Sequence, residues 1–269
     1  MNLWAISDLH VGYAENRRAV ERLEPMPDDW LILAGDTGET PAHLDFVLKT
    51  LQPRFSQLIW TVGNHDLWTP ASLPSERRGV AHYERLIRLC HSYGVLTPED
   101  PFAVWPGGGP RTAVVPTFSL YDYSFAPETV AADAAVAWAA ERGVRCVDEQ
   151  LLDASPYSSR GAWCQARLAY TAERLASIGP DTRLILVSHW PLRYEDAIPP
   201  RIPRFSIWCG TRATEAWHTR YPIDAVIYGH LHLRSHTERD GVSFDEVSLG
   251  YPKQWDQTLG LRHYLRKIK

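Results

Sequence analysis

The sequence predicts a layered α/β domain, and three observations point there. Short apolar runs recur along the chain, helical patterns lie between several of them, and five of the runs lead straight into polar clusters. At 269 residues the chain is long enough for one large domain with a full core, so a single domain over 1–269 is expected. Apolar residues make up 45% and charged residues 22%, which argues against extended disorder.

The runs Leu3–Ile6, Trp30–Ala34, Leu58–Val62, Thr112–Val115, Leu184–Val187 and Ala225–Tyr228 are near-continuous and bounded by turn residues, as strands buried on both faces are. Thr40-Pro41 opens a helix, Gly94 closes one over 75–93, and Pro127 and Gly143 bracket an alanine-rich one. Between about 119 and 180 strand character fades. A helical insertion is expected there, with helices over Ala131–Arg142 and Ala162–Ile178. Val242–Ser248 alternates and Tyr264–Ile268 ends the chain, so both read as further strands, in a second sheet packed on the first.

Bulk properties narrow the functions. A formal charge of −4 gives no general attraction for polyanions, so nucleic acid is not the expected partner. The four cysteines, Cys90, Cys146, Cys164 and Cys209, form no C-x-x-C pair and indicate neither a zinc knuckle nor a disulfide framework. No signal-peptide pattern precedes the first strand and no apolar run could span a bilayer, so a cytoplasmic location is expected. The sequence does not specify an oligomeric state.

The chemistry lies in Asp8-Leu9-His10, Gly35-Asp36, Gly63-Asn64-His65-Asp66, Ser188-His189 and Gly229-His230-Leu231-His232. In α/β sheets the carboxyl ends of strands converge on the ligand crevice, so clusters far apart in sequence can meet. Asp8 and His10, two residues apart at a strand end, can face one ion, and carboxylate with imidazole suits zinc, manganese or iron. Asp36 offers two oxygens, enough to bridge two ions, although an Asp after Gly could equally cap the next helix. Asn64 supplies an amide oxygen, His65 a transferable proton and Asp66 a carboxylate able to orient an imidazole. His189 alone could be a core histidine, whereas the paired imidazoles of His230 and His232 are a stronger metal signal. Independent turns and caps would not place all of these groups at successive strand ends.

The ordered set D-x-H, G-D, G-N-H-D, S-H and G-H-x-H, spanning Asp8 to His232, resembles the calcineurin-like metallophosphoesterase superfamily. The resemblance implies a four-layer α/β/β/α sandwich of two mixed sheets flanked by helices. It implies one metal ion held by Asp8, His10, Asp36 and His232 and another by Asp36, Asn64, His189 and His230. Manganese is the first expectation, with iron or zinc compatible. His65 would face the scissile phosphate and assist the leaving oxygen, with Asp66 holding its other nitrogen. Members commonly continue the second motif as G-D-x-x-D, but Glu39 stands here in place of that Asp, and Thr40-Pro41 replace the arginine of protein phosphatases.

The expected activity is therefore hydrolysis of a small, nucleotide-like phosphate mono- or diester by a metal-activated hydroxide. A nuclease of the same superfamily and a silent scaffold of the same fold are the alternatives. Arg193, Arg201, Arg204 and Arg212, and the rings of Phe118, Tyr121, Tyr123 and Phe125, are candidates for substrate contact or else a solvated loop and a packed insertion. Trp68 reads as a wall of the site.

Overall fold

The computed structural model describes residues 1–269. Ten strands build two sheets: β1 (Leu3–Ile6), β2 (Met26–Ala34), β3 (Phe55–Thr61), β4 (Ala103–Val104), β5 (Thr112–Pro116), β6 (Arg183–Val187), β7 (Ile223–Tyr228), β8 (Ser235–Arg239), β9 (Val242–Glu246) and β10 (Arg266–Lys267). The first sheet has the order β10-β1-β2-β3 and the second β4-β5-β6-β7-β9-β8. Both are mixed, because β10 runs antiparallel to β1 while β4 and β8 are antiparallel to their neighbours. All six runs read as core strands form strands here, three in each sheet. The apolar faces of the two sheets meet through Ala5, Ile32, Ile59, Val114, Ile185 and Ile227, a dry layer that explains why these strands read as apolar throughout.

Eight helices flank the sheets: α1 (Ala14–Glu21), α2 (Pro41–Leu51), α3 (Gly79–Ser92), α4 (Ala135–Ala140), α5 (Asp148–Leu151), α6 (Arg160–Ala176), α7 (Trp217–Arg220) and α8 (Gly260–Tyr264). α2 begins as its sequence predicts: the Thr40 side chain accepts from the His43 amide and Pro41 takes the first turn. The helix expected over 131–142 is shorter than read. A 3₁₀ turn over Ala132–Ala134 leads into α4, and Gly143, at φ 70°, stops the chain beyond it.

Two expectations at the C-terminal end are corrected. Tyr264 closes α8 and only Arg266–Lys267 extend, pairing with β1 in the first sheet rather than the second. β8 escaped notice because all five of its residues are exposed, so no burial period marks it. Its position at the edge accounts for that polarity. No helix is long and apolar enough to cross a membrane.

Candidate metal centre

All five polar clusters follow the carboxyl ends of strands, β1, β2 and β3 from one sheet and β6 and β7 from the other. Within each sheet these strands run parallel, so their ends open on the same side and the clusters meet there. The local backbone is unusual. Asp8, His10, Asp36, His230 and His232 all have positive φ, between 41° and 76°, a conformation L-residues adopt at a cost of about 1–3 kcal/mol each. The chain leaves β1, β2 and β7 in a sharp left-handed turn that aims the next side chain across the sheet ends. Glycine provides the clearance: a Cβ on Gly63 would overlap Asp36 Oδ1, and one on Gly229 would overlap Ser7 Oγ and Asp8 Oδ2.

Donor atoms gather in three overlapping groups, Asp8–His10–His232, His10–Asp36–His65 and Asp36–His189–His230. Asp8 is polarised by its partners. Its Oδ2 accepts from Ser7 Oγ (2.6 Å), Ser248 Oγ (2.7 Å) and the His230 amide (3.0 Å), which leaves Oδ1 facing His232 Nε2 at 3.1 Å. His10 Nε2 and His232 Nε2 lie 3.1 Å apart. The His232 ring is set from behind by Gln254 Oε1, which takes its Nδ1 proton at 2.8 Å and leaves Nε2 as a lone pair. Ala34 O does the same for His189, at 2.9 Å from Nδ1.

On the other side of Asp36, Asn64 Oδ1 stands 3.2 Å from His189 Nε2 and 3.0 Å from His230 Nδ1. Asp36 lies between the two sets: Oδ1 accepts the His65 amide at 2.8 Å, and Oδ2 is 3.3 Å from His189 Nε2. The donors therefore form a nest of lone pairs pointing inward, and the buried atoms His10 Nδ1, His65 Nδ1 and His230 Nε2 have no hydrogen-bond partner. Oxygen and imidazole nitrogen in these numbers fit first-row divalent cations.

Electrostatics agree. Although burial opposes it, the His232 and His189 imidazoles hold the Asp8 carboxyl well below its ordinary range, and His189 and His65 do the same for Asp36. Burial would lower His189, but the Asp36 and Asp8 carboxylates push it up to about 10. Burial, with His189 beside it, drives His230 down to about 3. The protein thus concentrates negative charge at Asp8 and Asp36 and calls for positive charge between them.

His65 is one of the less enclosed members. Its ring stacks on Trp68 with centroids 3.6 Å apart, which bears out Trp68 as a wall. Burial lowers its proton affinity, yet Asp36, Glu39 and Asp148 together raise it. The role expected for Asp66 is corrected: its carboxylate does not touch His65. Oδ2 accepts from the amides of Asp36 (2.8 Å) and Gly63 (2.9 Å), and Oδ1 from Thr37 N (3.1 Å) and Oγ1 (2.7 Å). His65–Leu67 is a 3₁₀ turn, in which successive side chains point about a third of a turn apart. With His65 aimed at the site, Asp66 must face the backbone that carries Asp36. The carboxylate near His65 Nδ1 is instead Glu39 Oε1, at 3.8 Å, and the same oxygen is 3.7 Å from His10 Nδ1. The extra methylene of Glu39 lets one carboxyl stand behind both rings.

Substrate-contact candidates fare unevenly. Phe118, Tyr121 and Phe125 are fully buried, so these rings belong to the packed insertion. Arg193 pairs with Asp196, Arg204 with Glu141 and Arg212 with Glu215. Beside the donor nest opens a cavity of about 330 Å³, walled by Trp68, Val147, Phe205 and Tyr251, with Arg145 at its side. Sequence reading missed Ser7, Glu246, Ser248, Gln254 and Asp148, which hold the inward-facing groups. Only Ser7, adjacent to Asp8, carried a signal.

A sequence model of calcineurin-like phosphoesterases matches residues 1–234. The chain is 47% identical over 255 residues to the [acyl-carrier-protein] phosphodiesterase PptH of Mycobacterium tuberculosis, covering 94% of this chain and 79% of that protein. The crystal structure of phosphopantetheinyl hydrolase (PptH) from Mycobacterium tuberculosis superposes with a TM-score of 0.92 at 44% identity, covering 99% of this chain and 95% of that one.

Proposed function

The chain belongs to the calcineurin-like phosphoesterase family, and from that premise we propose that it hydrolyses the phosphodiester joining a phosphopantetheine group to an acyl carrier protein. It is a metallophosphoesterase, a phosphoric ester hydrolase that works with divalent metal ions. The observation that carries the reading is 47% identity to an acyl-carrier-protein phosphodiesterase over 94% of the chain. A protein-attached ester thereby replaces the small nucleotide-like ester expected from sequence.

In this proposal Asp8, His10, Asp36 and His232 hold one ion, and Asp36, Asn64, His189 and His230 hold the other, with manganese first and iron or zinc also compatible. Two such ions, when bound, supply charge that polarises a phosphoryl group and acidifies water. The chain's own groups do the rest. Asp8 and Asp36 stay ionised because imidazoles surround them. His65, whose proton affinity is raised, delivers a proton from its ring to the departing ester oxygen. Glu39 and Trp68 hold that ring, the first from the Nδ1 side and the second by stacking. Asp66 acts one step back, fixing the turn from which Asp36 projects. The cavity, with apolar walls and Arg145, is where the pantetheine arm would lie. A cytoplasmic location is part of the same proposal.

Intact-mass analysis of a phosphopantetheinylated acyl carrier protein incubated with the manganese-loaded enzyme tests this. Conversion to the apo carrier with release of phosphopantetheine is the expected result. An unchanged carrier, under conditions where a simple aryl phosphodiester is turned over, would contradict the substrate assignment.

A further inference from the structure

We propose that Asp148, on the insertion helix α5, is a positioning residue that fixes the Asn64 amide so that its oxygen, not its nitrogen, faces His189 and His230. The inference rests on the ligand assignment proposed above and deepens it, because it gives the insertion a part in building the metal centre.

An asparagine amide is nearly symmetric in shape, and either end could point inward. Only one end can ligate a cation. The choice must come from what meets the outward end, and here that is Asp148 Oδ1, 3.0 Å from Asn64 Nδ2. A carboxylate accepts and cannot donate, so it admits the NH₂ and rejects the carbonyl. The contact is wholly enclosed, with Asp148 at 0% and Asn64 at 3% exposure, so no solvent competes for either end. If the amide turned over, its NH₂ would confront His189 Nε2 and His230 Nδ1, the atoms its oxygen now stands beside.

Asp148 also reaches the other half of the site. Its Oδ1 takes the Trp68 indole proton at 2.7 Å, and Trp68 is the ring stacked on His65. One oxygen thus sets the orientation of a metal-facing amide and of the plate that supports the proton donor. Oδ2 is anchored by Tyr121 OH at 3.0 Å. The short helix is clamped in turn: Arg160 Nη2 donates to Asp148 O (2.7 Å), Arg160 Nη1 to Glu149 Oε2 (2.8 Å), and Trp208 Nε1 to Glu149 Oε1 (2.7 Å). Buried groups with this much support hold one geometry, which is what a ligand-orienting partner needs.

Manganese titration followed by electron paramagnetic resonance tests the assignment without reference to any substrate. Wild type should take up two ions and show the spin-coupled signal of a pair. Asp148→Ala should retain one tight ion and bind the second about 10–100-fold more weakly, losing the coupled signal. Asp148→Asn should stay near wild type, since its amide oxygen can face Asn64 and Trp68 while its NH₂ donates to the Tyr121 hydroxyl. A purely structural role would not single out one ion. Should Asp148→Ala fail to fold, the exchange of Asn64→Asp with Asp148→Asn decides, made together with Trp68→Phe because the amide NH₂ turned towards position 64 would otherwise meet the indole N–H that now shares Asp148 Oδ1: the pair keeps the hydrogen bond with its polarity reversed and should bind the second ion more tightly than Asn64→Asp in the same Trp68→Phe background. Two ions bound normally by Asp148→Ala, or no advantage of the exchange over Asn64→Asp, would overturn this proposal alone. A wild-type protein that takes up only one ion would overturn the ligand assignment and this proposal with it.

Discussion

Replacing Glu246 with glutamine should stabilise the metal-free protein above neutral pH and leave it nearly unchanged at acid pH. Glu246 is buried behind Asp8, with Ser248 between them. Ser248 Oγ is 2.7 Å from Asp8 Oδ2 and in short contact with Glu246 Oε1. A hydroxyl has one hydrogen and cannot donate to two carboxylates at once. Asp8, ringed by imidazoles, stays ionised and takes it, so Glu246 must bring a proton of its own and donate to Ser248 Oγ. In agreement, burial and then the Asp8 charge push the Glu246 carboxyl from its ordinary 4.5 up to about 7.

A raised carboxyl favours the native state below its unfolded value and loses that advantage as pH climbs towards its folded value. Between 4.5 and about 7 wild type should therefore lose stability with rising pH, by about 3 kcal/mol as an upper bound at 1.36 kcal/mol per pH unit. Glutamine mimics the protonated acid: its NH₂ can donate to Ser248 Oγ and its carbonyl can accept the Ser248 amide that Glu246 Oε2 now binds at 3.2 Å. Urea denaturation of chelator-treated wild type and Glu246→Gln from pH 4 to 9 should give curves that coincide at the acid end. They should part above pH 4.5 and run parallel beyond about 7 with the variant more stable. Manganese should narrow the gap by offsetting the Asp8 charge. A wild type that is the more stable protein at pH 8, or a constant difference at every pH, would refute the proton on Glu246.

Other consequences concern the same few residues. His65→Ala should lower kcat by about 10²–10⁴-fold while two ions remain by elemental analysis; loss of metal would make His65 a ligand instead. Asp66→Ala strips the acceptor from the amides of Asp36, Thr37 and Gly63 at once, so a loss of about 3–5 kcal/mol in urea unfolding is expected, together with weaker metal binding. A change within 1 kcal/mol would show that these amides find other partners. Gly63→Ala puts a methyl group against Asp36 Oδ1 and should weaken manganese binding about 10–100-fold, measurable by calorimetric titration, whereas undiminished affinity would mean that Asp36 Oδ1 does not face Gly63.

Much of this architecture was legible in the residues because two independent patterns coincide. Apolar runs such as Leu184–Val187 mark strands buried on both faces, and the polar cluster behind five of the six runs marks the end at which they open. The inward-facing groups were legible for the same reason, since Asp8, Asp36 and His230 each stand one or two residues past a strand. What was not legible depends on contacts between distant segments. Ser248 reaches Asp8 across 240 residues, and Asp148 reaches Asn64 across 84, with nothing in either local sequence to announce it. The positive φ of Asp8, His10 and Asp36 was equally hidden, because a strained turn at a non-glycine residue is imposed by its surroundings and not by its own preference. Asp66 shows how adjacency misleads. It follows His65 in sequence, yet in a 3₁₀ turn neighbours diverge, and the carboxylate behind the ring comes from Glu39.

Anomalous diffraction from crystals soaked in manganese addresses the central claim most directly. Two peaks are predicted, one among Asp8, His10 and His232 and the other among Asn64, His189 and His230, with the Asp36 carboxylate between them. A single peak, or two peaks that leave Asp36 without contact to either, would contradict it.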